Sequence, residues 1–125
     1  MDLLLDSQVV IWAVGEFSKL RPAIRELLVS PNNRLFLSAA SLWEIQIKVM
    51  KGRLTIPETF DSEIETLGIE QLPVTWNHAH AIRRLDPIHR DPFDRMLVAQ
   101  ALTENLHLVT ADSDILRYPV PTIQA

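Results

Sequence analysis

Asp6, Glu44, Asp94 and Asp112 lie far apart in the chain, yet each falls where a strand should end or a helix should begin. In an open parallel sheet, ligands bind outside the carboxyl ends of the strands. Acids converging there would form an all-oxygen anionic pocket, which suits a hard divalent cation, Mg²⁺ or Mn²⁺. Such an ion points toward metal-assisted phosphodiester chemistry. Each acid also has a plain structural use. Asp6 can cap the helix that follows it. Glu44 closes Ser41-Leu42-Trp43-Glu44, the pattern of a capping box. In Asp91-Pro92-Phe93-Asp94, Asp91 fits an N-cap, Pro92 the first helical position, and Asp94 the third, near the positive helix end. Asp112 can cap a short turn. Capping and metal binding are compatible, because both place oxygens at helix starts. It is the joint placement that argues for chemistry.

The elements that must hold these acids alternate between strand and helix. Asp2–Leu5 is a short apolar run of the kind found in buried parallel strands. The chain then predicts helices over Gln8–Val14 and Arg21–Leu28, the latter with Pro22 in its first turn. Leu35–Leu37 reads as strand and Ala39–Lys51 as an amphipathic helix closed by Gly52. Pro57–Leu67 reads as a helix ending at Gly68, Glu70–Val74 as a weak strand, and Trp76–Leu85 as a helix. Pro92–Glu104 is a long helix, Leu106–Thr110 a strand and Val120–Ile123 a short last strand. This alternation implies an α/β fold, a three-layer helix–sheet–helix sandwich with a mostly parallel central sheet.

A chain of 125 residues with 47% hydrophobic content suits one domain, expected to span residues 1–125. It contains no cysteine, which excludes disulfides, thiolate nucleophiles and zinc–cysteine clusters. No stretch approaches the roughly 18 continuous apolar residues of a membrane span. The chain begins directly with a strand-like run and shows no signal peptide, so a cytoplasmic location is expected. Net charge is −4, from 12 basic and 16 acidic residues, although phosphate chains attract basic surfaces. Without the four acids named above the two signs balance, so charge neither supports nor excludes a nucleic-acid substrate. Three glycines, at positions 15, 52 and 68, leave no room for a phosphate-binding loop or a dinucleotide fingerprint. A Gly-x-Ser-x-Gly nucleophile elbow is absent too.

Four segments resemble the PIN-domain ribonucleases, and most closely the VapC-type toxins of bacterial toxin–antitoxin pairs. They are Leu3-Leu4-Leu5-Asp6-Ser7, Ser38-Ala39-Ala40-Ser41-Leu42-Trp43-Glu44-Ile45, the run from Asp91 to Ala101, and Leu108-Val109-Thr110-Ala111-Asp112. The resemblance runs nearly end to end and includes Lys48, Gly52 and Leu54 after the second segment. It implies a PIN-like fold in which Asp6, Glu44, Asp94 and Asp112 hold one or two Mg²⁺ or Mn²⁺ ions for RNA cleavage, leaving a 5′-phosphate and a 3′-hydroxyl. It places the Thr110 hydroxyl beside the site. It also implies a cognate antitoxin and a homodimer within a larger toxin–antitoxin complex. Relatives in this subgroup often carry Asp-Thr-His at the first segment, where this chain has Asp6-Ser7-Gln8. Ser7 keeps the hydroxyl, whereas Gln8 cannot titrate near neutral pH.

Other residues carry weaker signals. His78 and His80 are two apart and point in different directions on a helix, so they read as surface or partly buried histidines. His89 and Arg90 precede the third acidic segment and could meet a phosphate. Arg95 could orient acids by pairing. Lys48, Lys51 and Arg53 could track a phosphate chain, or simply form an exposed helix end. Trp12, Trp43 and Trp76 read as core. One rival fold is a response-regulator receiver. That fold needs paired acids after its first strand and a phosphoacceptor aspartate after a central one; here Asp6 stands alone, and Ser38 follows Leu35–Leu37. A second rival is a PIN-like module that binds without cleaving.

Overall fold

The computed structural model describes residues 1–88 and 91–125. His89 and Arg90, considered above as phosphate contacts, lie outside the described residues. The strands are β1 (Asp2–Leu5), β2 (Arg34–Ser38), β3 (Ile69–Leu72), β4 (His107–Thr110) and β5 (Thr122–Gln124). The helices are α1 (Ser7–Gly15), α2 (Pro22–Val29), α3 (Ala39–Met50), α4 (Phe60–Thr66), α5 (Trp76–Ala81) and α6 (Pro92–Glu104). The strands form one sheet in the order β3-β2-β1-β4-β5, and every neighbouring pair is parallel. Receiver domains use the order 2-1-3-4-5, so the receiver alternative is excluded by topology.

Successive residues of β1 face opposite sides of the sheet. Leu3 and Leu5 join one apolar cluster with Val9, Ile24, Leu35, Ile45 and Phe60. Leu4 joins the other, with Leu97, Val98, Leu108 and Ile115. The three leucines are wholly buried, and each contributes about 2 kcal/mol of apolar burial. β1 is apolar on both faces because helices cover both, as the sandwich requires.

The helix boundaries have local causes. Gly52 and Gly68 adopt φ of +69° and +72° just beyond α3 and α4, a left-handed geometry that side chains disfavour. The expected helix over Pro57–Leu67 starts later, at Phe60, after a turn in which the Phe60 amide donates to the Pro57 carbonyl at 3.0 Å. Over Trp76–Leu85 the α-helix ends at Ala81 and continues as a 3-10 turn over Ile82–Arg84. The expected capping box at Ser41–Glu44 does not form. Ser38 is the N-cap of α3, its Oγ accepting the Ala40 amide, which places Ser41 inside the first turn.

Candidate metal centre

Asp6 is where β1 stops and α1 starts. Its amide donates to the Val109 carbonyl of the neighbouring strand at 3.1 Å, which fixes the backbone at the sheet end. Its Oδ1 accepts the Val9 amide at 3.0 Å, capping α1. Its Oδ2 accepts the Thr110 hydroxyl from the end of β4. Asp6 is only 6% exposed. Burial pushes its carboxyl above the ordinary aspartate range, and the charge of Asp112 pushes the same way. The Thr110 hydroxyl and the Val9 and Ala111 amides pull it back in part.

Two hydroxyl residues, Ser7 beside Asp6 in the chain and Thr110, hold further acids near it. Ser7 donates its hydroxyl to Glu44 Oε1 at 2.5 Å. Glu44 Oε2 lies 3.8 Å from Lys48 Nζ, one helical turn on. Thr110 Oγ1 accepts the Asp112 amide at 3.0 Å while it donates to Asp6. Asp112 in turn caps the turn after β4, its Oδ1 accepting the Asp114 and Ile115 amides at 2.8 and 3.3 Å. Thr110 therefore links the Asp6 carboxylate to the Asp112 backbone, and Ser7, the residue after Asp6, holds Glu44 next to that pair as one local group. Its parts come from β1–α1, α3 and β4, and parallel pairing brings these elements into register.

Asp94 arrives from another direction. Asp91 is the N-cap of α6, its Oδ1 accepting the Phe93 and Asp94 amides at 2.8 and 3.2 Å, with Pro92 in the first turn. α6 leads back to the start of β4, so its own start lies toward the carboxyl ends of the strands. The Trp43 and Phe93 rings meet edge to face with centroids 5.3 Å apart. That contact joins the residues immediately preceding Glu44 and Asp94. Among the described residues, no three acidic or histidine side chains are gathered as a finished metal cage.

The donor set nevertheless suits a hard cation. Asp6, Glu44, Asp112, Ser7 and Thr110 offer oxygen alone. A buried carboxylate repelled by a neighbouring one is the electrostatic setting that a divalent ion relieves. Ser41 Oγ, on the Glu44 face of α3 one turn earlier, is buried without a hydrogen-bond partner.

Several side chains sit elsewhere than the sequence suggested. Trp43 and Trp76 are 64% and 86% exposed, so they are not core. Trp12 is partly buried against the first apolar cluster. His78, expected at or near the surface, is wholly buried between α5 and α6. Its spacing from Thr75 was the overlooked signal: Thr75 and His78 cap α5 reciprocally. The Arg95 guanidinium donates to the Asp86 and Ile82 carbonyls and the Tyr118 hydroxyl. Lys48, Lys51 and Arg53 lie exposed at the end of α3 and just beyond it.

The family described as the PIN domain matches residues 3–121 of this chain. No curated protein matches it. Among solved structures, a chain of VapBC2 from Rickettsia felis, bound to a promoter DNA fragment, superposes with a TM-score of 0.77 at 20% identity, covering 99% of this chain and 98% of that one. DNA-bound VapBC from Salmonella typhimurium gives 0.70 at 19% identity, with coverage of 99% and 98%. VapBC-5 from Mycobacterium tuberculosis, of the VapBC family of toxin–antitoxin systems, gives 0.56 at 18%, with coverage of 98% and 96%.

Proposed function

The chain belongs to the PIN-domain family, and from that premise we propose that it is a divalent-metal-dependent endoribonuclease, the toxin of a toxin–antitoxin pair. The observation that carries this reading is that Thr110 bonds both the Asp6 carboxylate and the Asp112 amide while Ser7, next to Asp6, bonds Glu44, all at the carboxyl end of the sheet. Capping explains Asp6 and Asp112 singly, but not their meeting at Thr110 nor the holding of Glu44, which lies inside α3, by Ser7.

In this reading Asp6 and Asp94 are direct ligands of Mg²⁺ or Mn²⁺, and Glu44 and Asp112 are ligands or hold its water. Bound there, the ion supplies Lewis acidity: it lowers the pKa of a bound water and offsets charge at phosphorus. Thr110 holds Asp6 and Ser7 holds Glu44, so each presents a fixed oxygen. Asp91 keeps the start of α6 in place and is a structural cap. One or two such ions would be held by the oxygens of Asp6, Glu44, Asp94 and Asp112.

The proposed partners are RNA, a second copy of the chain in a homodimer, and an antitoxin, as in the toxin–antitoxin systems to which VapBC-5 belongs. Among the described residues no helix is long and apolar enough to cross a membrane. We place its action in the cytoplasm, where an RNA substrate would be met.

The test is cleavage of end-labelled RNA. Wild type should cut in Mn²⁺ or Mg²⁺ and stop in EDTA, and Asp6→Asn should be inert in both. Full cleavage in EDTA by protein freed of contaminating nuclease would remove the metal mechanism. Binding of RNA without cleavage under any ion would favour a non-catalytic module.

A further inference from the structure

The two edges of the sheet are finished differently. At one edge Arg21 reaches across to donate to the Gln124 carbonyl of β5. At the other, β3 pairs with β2 on its inner side. Among the described residues no other segment hydrogen-bonds to the outer side of β3. An unpaired strand edge presents a row of amides and carbonyls ready to accept another strand.

Beside that edge lies a cleft of about 620 Å³, between β3, the start of α3 and α4. Leu37, Leu42, Ile64 and Ile69 line it, with Asp61 and Glu65 on the rim. Leu37 and Ile69 face the same side of the sheet, the side covered by α4. Asp61 and Glu65 are four apart on α4 and so share a helix face. Both are exposed, and no described cation pairs with either. Glu70 is different: Arg34 already holds it through two hydrogen bonds, at 2.9 and 3.0 Å. Residues 54–75 hold five acids, Glu58, Asp61, Glu63, Glu65 and Glu70, and no lysine or arginine. The rest of the chain has 11 acids against 12 bases, so the negative excess is concentrated beside this cleft.

We propose that the outer edge of β3 and the adjoining cleft bind an extended segment of a partner protein, which adds to the sheet as a sixth strand. Strand addition supplies affinity through main-chain hydrogen bonds, and alternate side chains supply specificity. The charge pattern states what those side chains are. The residues facing the cleft combine a branched apolar side chain, which enters it toward the partly buried Leu42 and Ile64, with arginine or lysine. The long stem of the latter lies on Ile64 while its cation reaches Asp61 and Glu65. The segment is therefore basic and apolar on one face and polar on the other.

This surface goes beyond the ribonuclease reading, and its test uses neither RNA nor metal. The probe is a fluorescent, end-capped peptide, Thr-Val-Thr-Arg-Thr-Val-Thr, titrated against the full chain. Saturable binding is expected. Replacing its arginine by glutamate, or methylating alternate amide nitrogens, should each weaken binding by about tenfold or more. The double change Asp61→Lys with Glu65→Lys should weaken it as much, while Glu26→Lys, an exposed charge on α2, should not. Hydrogen exchange should slow at residues 69–72 on binding. Absence of binding overturns the proposal, as does indifference to amide methylation or to charge reversal at Asp61 and Glu65. Slowed exchange over Asp6 and Thr110 instead of β3 also overturns it, and so does a self-dimer through β3 that the peptide cannot displace.

Discussion

At the residue scale, two aspartates three positions apart have different work, and substitution separates them. Asp91 accepts two amides at the start of α6, and asparagine caps helices nearly as well as aspartate. Asp91→Asn should keep substantial RNA cleavage, whereas Asp94→Asn should abolish it with little loss of folding, read by circular dichroism and an RNA assay. Equal loss in two folded variants would place Asp91 among the ligands. Asp6 yields a second prediction, from its raised pKa. Folded Asp6 holds its proton more tightly than the unfolded chain does, chiefly because of burial. Below the unfolded value of about 4 both states are protonated and nothing is lost. As pH rises through the higher folded value, the ionised carboxylate becomes a stability cost. Asp6→Asn should therefore melt a few degrees above wild type at pH 7 in EDTA, for roughly 1 kcal/mol, and the gap should close near pH 4. Saturating Mn²⁺ should raise wild type more than the variant, because an ion that binds the native state stabilises it by mass action. Equal gains from Mn²⁺ would remove Asp6 from the metal site.

At the element scale, the pairing of α5 with α6 rests on a buried imidazole. His78 Nδ1 accepts the Thr75 amide at 3.0 Å, so the ring hydrogen lies on Nε2 and is donated to Glu104 Oε1 at 2.8 Å. That ring ties the cap of a six-residue helix to the last residue of α6. His78→Ala removes the cap partner, the link and packed volume together, which should cost about 2–3 kcal/mol. His80 is exposed and its Nδ1 meets Arg83, so His80→Ala should change stability little. Chemical denaturation of the two variants tests this; comparable losses would mean that His78 contributes packing no greater than a surface histidine does.

At the scale of the whole molecule, an unrestrained ribonuclease endangers its host, and the proposed toxin role requires a restraint. The expected antitoxin is a small DNA-binding protein encoded beside this chain, with a C-terminal segment over the acidic pocket. A basic side chain, arginine by preference, would pair with the carboxylates around Asp6 and exclude the ion. Co-expression should relieve growth arrest and yield a stable complex, and charge reversal of that arginine should restore arrest. Failure of co-expression to do either would separate this chain from the toxin role, while leaving the ribonuclease reading to be judged by RNA cleavage.

The sequence by itself determined the alternation of strand and helix, the helix stops at Gly52 and Gly68 and the start of α6 at Pro92. These are local matters: apolar periodicity, positive φ and proline geometry act over a few residues. It also marked Asp6, Asp94 and Asp112, because acids at element ends stand out singly, and Glu44 through its segment, although Glu44 lies in the second turn of α3 and not at its start. Tertiary structure alone decided the order β3-β2-β1-β4-β5, which no local signal encodes. It alone joined Ser7 to Glu44, 37 positions apart, and Thr110 to Asp6, 104 positions apart. It buried His78 and exposed Trp43 and Trp76, against expectations from residue type. Burial is a property of which surfaces meet. Ring size and hydropathy say how much free energy burial would release, but not whether another element arrives to cover the ring.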